Sequence, residues 1–198
     1  MNKATSACVV GYAAFALALW LSSMVPAGWF GAASAPSSPW MAAILGGGVM
    51  ALAGIVQTLR GRTLDAVLFL AFAAYWWINL VSGHLAAAGY ESSAGFLGWY
   101  DMVWAFLAFC VWLAARRDCI ARMLFALGLC VTLFVLALAH WLQVGALTIL
   151  GGYLGLVTAI VGIYVAAAAL INATHGHTVL PLGESTDRTP PPAYPPQP

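Results

Sequence analysis

Residues 116–142 read Arg116-Arg-Asp-Cys-Ile-Ala-Arg-Met-Leu-Phe-Ala-Leu-Gly-Leu-Cys-Val-Thr-Leu-Phe-Val-Leu-Ala-Leu-Ala-His-Trp-Leu142. A cluster of arginines is followed by an apolar run in which no Asp, Glu, Lys or Arg occurs after Arg122. The run Ile120–Leu142 has the roughly 20 residues a helix needs to cross a bilayer. Working outward, five more runs have the same character: Cys8–Gly28, Met41–Leu59, Leu64–Gly83, Phe96–Ala115 and Leu147–Asn172. The reading is an all-α integral membrane protein, a six-transmembrane-helix bundle. Composition agrees: 63% of the 198 residues are hydrophobic and 7% are charged, whereas a soluble domain carries about a quarter charged residues. Residues 1–172 are read as one transmembrane domain. Residues 173–198 are read as a cytoplasmic tail, Pro-rich at Thr189–Pro198, extended and disordered from about residue 185.

The cations fix a topology. Lys3 precedes the first run, Arg60 and Arg62 follow the second, Arg116, Arg117 and Arg122 follow the fourth, and Arg188 follows the sixth. In a six-span serpentine all of them fall on one side, which the positive-inside rule makes cytoplasmic, so both termini are expected there. Five or seven spans would scatter the charges over both faces. Lys3, the first apolar run and Ala33-Ser34-Ala35 share an outline with a signal peptide. The run is longer than a usual signal core, and it is read as a retained helix.

Net charge is +1, which leaves no basic face for nucleic acid. Cys8, Cys110, Cys119 and Cys130 lie in or beside apolar runs with no CxxC spacing; they are read as small apolar residues. No HExxH, nucleotide loop or Ser/His/Asp trio appears, so no enzyme, cofactor or metal site is expected.

Polar residues inside the spans carry the chemistry that remains. Asp101 is the one carboxylate well within a run, about 7 Å from its outer end at 1.5 Å per residue. An intramembrane ionisable residue is a functional candidate, although it can also reach the headgroups. His140, near the outer end of the fifth run, could share a proton with Asp101 if the two spans face each other. Asn79 and Gln57 either line a pathway or bond a neighbouring helix. Asp65, just after Thr63, is read as a helix-end charge, with Thr63 as cap. Glycines crowd the second run (Gly46, Gly47, Gly48, Gly54) and the sixth (Gly151, Gly152, Gly155, Gly162), where they allow close helix approach or leave room for a narrow path.

The end of the sixth run is distinctive: Ile163-Tyr164, then Asn172, then His177-Thr-Val-Leu180-Pro181-Leu-Gly183-Glu184. Ala27-Gly-Trp-Phe30, Gly61-Arg-Thr63, Leu97-Gly-Trp-Tyr100 and Gly152-Tyr-Leu-Gly155 fall in order before it. This set resembles the acetate uptake transporter family over about residues 6–184, with Gly11, Tyr164, Asn172, Leu180, Pro181 and Gly183 as signature positions. The resemblance implies a pathway through each protomer, assembly as a homohexamer in lipid, and passage of acetate, succinate or other small carboxylates, with or alongside protons. It also implies a hydrophobic constriction at Phe15, Phe72 and Leu129, with Cys130 competing for the last place. The family's Asn-Pro-Ala-Pro-Leu-Gly-Leu motif corresponds here to residues 6–12, of which only Gly11 matches. Met50, Gln57 and Ala169 stand where members carry Gln or Glu. A divergent member passing another small solute such as ammonia, and a non-transporting membrane subunit or sensor, are the rival readings.

Overall fold

The computed structural model describes residues 3–183, with side chains from Ser6 onward. The Pro-rich tail, Glu184 and Arg188 lie outside the described residues. Six helices are long and apolar enough to cross a membrane: α1 (Lys3–Ser23), α2 (Ser38–Thr58), α3 (Thr63–Ala87), α4 (Ala94–Ala115), α5 (Ile120–Leu142) and α6 (Gly145–His175).

The boundaries follow local chemistry. Helix α1 stops at Ser23, short of the expected Gly28, because Pro26 cannot continue the hydrogen-bond ladder and Gly28 turns the chain at φ +80°. Helix α2 starts with Pro39 in its first turn and widens to a π-helical stretch over Ala43–Val49. Thr63 is not a cap: Arg62 holds the cap position of α3, and its side chain makes no capping hydrogen bond. Ser93 Oγ accepts from the Phe96 amide and starts α4. Helix α6 runs past Asn172 to His175 and ends at Gly176 in the left-handed conformation.

Helix α1 lies along α6, α5 packs between α4 and α6, and α2 packs on α3 and α1. Lipid tails are as apolar as the helices, so association depends on close packing. The α6 glycines supply it. A Cβ at Gly152 would overlap the Ala27 backbone, and one at Gly155 would overlap Ser23 Oγ. Gly11 similarly leaves the place that the Phe69 ring fills.

After α6 the chain does not leave the bundle. Asn172 Oδ1 accepts from the Val179 and Leu180 amides (2.7 and 2.9 Å), and its Nδ2 donates to Leu180 O (2.8 Å). Tyr164 Oη donates to Pro181 O at 2.6 Å. The docked segment then caps α5: the Ile120 and Ala121 amides donate to Gly183 O and Leu182 O, satisfying two of the free N–H groups of a helix start. Residues 177–183 therefore return onto the bundle, although most of them stay exposed. The signature residues Tyr164, Asn172, Leu180, Pro181 and Gly183 build this return.

Candidate functional site

A cavity of about 380 Å³ enters the bundle from the end opposite the arginines. Helix α1 gives it Phe15, Leu19, Ser22 and Ser23; α3 gives Phe72, Tyr75, Trp76, Asn79 and Leu80; α5 gives Leu129, Thr132, Leu133 and Leu136. Gly151 and Gly152 of α6 line it, as do Pro36, Ser38 and Pro39 near its mouth. Every lining side chain is uncharged. On each of α1, α3 and α5 the lining residue nearest the arginine end is, respectively, Phe15, Phe72 and Leu129, so these three form the floor. From Phe72 to Leu80 the lining spans about 12 Å at 1.5 Å per residue.

The floor is packed. Phe15 and Phe72 have ring centroids 5.2 Å apart, and Phe15 meets Phe125 edge-on at 5.1 Å. Leu129 is buried and lines the cavity, whereas the half-buried Cys130 is not among the lining residues. The two point about 100° apart on α5, and Leu129 is the one that faces the cavity.

The walls carry scattered polar groups. Asn79 Nδ2 donates to Tyr75 O one turn earlier (3.0 Å). Thr132 and Thr158 hydroxyls stand 3.5 Å apart, each also bonded to a carbonyl four residues earlier in its own helix. Ser38 Oγ donates to Leu21 O at 2.8 Å, tying the mouth to α1. The indole N–H of Trp76 is buried with no acceptor among the described residues.

Asp101 and His140 come together, with His140 Nδ1 2.9 Å from Asp101 Oδ2. The pair lies between α4 and α5, not on the cavity wall. Tyr100 stands beside it and stacks on the wall residue Tyr75 at 5.8 Å, nearly parallel. Gln57 is fully buried and away from the cavity; its Nε2 donates to Asp65 Oδ2 at 3.4 Å. Asp65 is not an exposed helix-end charge. It is buried, with Arg122 at 3.5 Å and Arg62 at 4.0 Å. Sequence reasoning missed this, although Arg122, two residues inside an apolar run, was the available signal: a cation there needs a partner. Among the described residues no group of His, Cys, Asp and Glu is disposed to hold a metal ion.

The sequence profile of the GPR1/FUN34/yaaH family, the acetate uptake family, matches residues 1–184. The chain belongs to this family. Among its relatives, the Succinate-acetate/proton symporter SatP of Escherichia coli (strain K12) is 24% identical over 147 residues, covering 73% of this chain and 78% of the symporter. A protein of Methanothermobacter thermautotrophicus is 26% identical over 147 residues, covering 69% of this chain and 71% of its own length. The structure of the bacterial acetate channel SatP superposes with a TM-score of 0.84 at 22% identity, covering 89% of this chain and 98% of that one. The fold is thus that of a six-helix membrane protein of the GPR1/FUN34/yaaH family.

Proposed function

We propose that this protein is a membrane transporter or channel for acetate and other small carboxylic acids. The observation that carries the reading is the cavity that ends on Phe15, Phe72 and Leu129, in a family whose relatives include a succinate-acetate/proton symporter. A volume of about 380 Å³ lies at the small end of the roughly 300–1,000 Å³ typical of ligand sites. Hydroxyls and Asn79 near the mouth replace part of the water shell of a carboxylic acid. The apolar floor rejects hydrated ions and admits a short acid, most readily in its neutral form.

Within this reading the protein is not an enzyme. It works in the inner membrane with both termini cytoplasmic, as a homo-oligomer for which family likeness suggests a hexamer. Asp101 and His140 are the proton-handling candidates: their side chains share a hydrogen bond of 2.9 Å, along which a proton can pass. The uncharged cavity lining also suits a neutral solute such as ammonia. The test is uptake of labelled acetate into liposomes containing the purified protein, with Phe15→Ala and Phe72→Ala beside wild type and ammonia as the competing solute. Changed acetate rate or selectivity in the variants supports the constriction; unchanged rates and selectivity in both reject it.

A further inference from the structure

The three helices that supply the cavity floor continue in register beneath it. Toward the arginine end, Phe15 of α1 is followed by Tyr12 and Cys8, Phe72 of α3 by Phe69 and Asp65, and Leu129 of α5 by Phe125 and Arg122. Steps of three and four residues stay on one face of a helix. The face that forms the floor therefore forms two more layers, the last about 10 Å below it. The middle layer is aromatic: Tyr12 meets Phe69 edge-on at 5.2 Å and Phe125 at 5.5 Å.

The third layer is ionic. The Arg122 guanidinium donates to Asp118 Oδ2 and to Cys8 Sγ, faces Asp65 Oδ1 at 3.5 Å, and lies 5.1 Å from the Tyr12 ring centroid. The side chains of Arg122 and Asp65 are 13% and 3% exposed. Burying such charges in a spanning helix is costly, and a bundle that needed only closure is served as well by apolar residues. The layer is also incompletely bonded. Asp65 Oδ1 is met by Arg122 only at 3.5 Å, and among the described residues the fully buried Gln57 has no donor for its Oε1. Buried acceptors are seldom left this way.

We propose that this layer is a second carboxylate station on the same pathway, where the carboxylate of a short acid takes the place of Asp65 on Arg122. The proposal rests on the transport reading above. The guanidinium fork matches any carboxylate, and an aspartate side chain presents the same group as acetate. Exchange keeps a carboxylate on the cation at every stage. Asp118, 39% exposed, links the station to the arginine end.

The experiment measures acetate binding to the purified protein in detergent and acetate uptake by liposomes, in parallel. Removing one of the two internal competitors, Asp65→Asn, is expected to tighten acetate binding at least fivefold. Asp65→Asn/Arg122→Gln is expected to lose that gain, and Asp65→Asn/Arg122→Lys to keep part of it. A purely structural ion pair predicts no tightening in Asp65→Asn. If Asp65→Asn does not elute as folded protein, Asp118→Asn against Asp118→Asn/Arg122→Lys carries the same comparison. Equal binding with and without the Arg122 fork overturns the station. Absence of wild-type uptake with Arg122-dependent binding intact rejects transport but not the station; uptake with Arg122-independent binding does the reverse.

Discussion

His140 and Asp101, 39 residues apart in sequence, share a hydrogen bond of 2.9 Å that joins the arginine-free ends of α5 and α4. Asp101 is buried, while the His140 side chain is 37% exposed. The pair thus has one partner held in the bundle and one in contact with its surroundings.

If the two act as one unit, their substitutions are not additive. Asp101→Asn and His140→Gln are each expected to destabilise the protein by about 1–2 kcal/mol, the range for a hydrogen bond with a charged partner, reduced for exposure. The double variant is expected to cost clearly less than the sum. Thermal unfolding of the four proteins in detergent measures this cycle; full additivity rejects the coupling.

The C-terminal return gives a second expectation. Asn172 makes three hydrogen bonds to residues 179–180, each contributing about 1 kcal/mol. Asn172→Ala is expected to lower stability by about 2–3 kcal/mol and to release residues 177–183. Hydrogen exchange should then speed up in that segment and at the Ile120 and Ala121 amides it caps, and stay slow in the middle of α1.

At the helix contacts the expectation is steric. A side chain at Gly152 meets the Ala27 backbone, which cannot move aside as a flexible side chain can. Gly152→Val is expected to cost more than the roughly 1–3 kcal/mol of ordinary overpacking. Gly48→Ala, where a Cβ meets nothing within 4 Å, is expected to be nearly neutral. Melting temperatures of the two variants make the comparison.

What was legible in the sequence followed from physics that acts on runs of residues. Six apolar stretches separated by turn residues and arginines place the helices, and Ile120–Leu142 coincides with α5 to the residue. Family likeness, not periodicity, pointed to Phe15, Phe72 and Leu129. Three kinds of detail were not legible. Arg122 inside an apolar run called for a partner, but nothing local to it named Asp65, 57 residues earlier. The return of residues 177–183 onto α5 is made by single hydrogen bonds from Asn172 and Tyr164. Ending α1 at Ser23 required weighing Pro26 above the hydrophobicity of the run that surrounds it.

The central claim is passage of a short carboxylic acid through the cavity and its floor. Its most direct test is labelled-acetate uptake by liposomes containing purified protein, measured at two external pH values and with Phe72→Ala alongside wild type. The account expects saturable uptake above protein-free liposomes, faster at the lower pH where more neutral acid is present, and altered in selectivity between acetate and longer acids by Phe72→Ala. Uptake no greater than in protein-free liposomes at both pH values would contradict it.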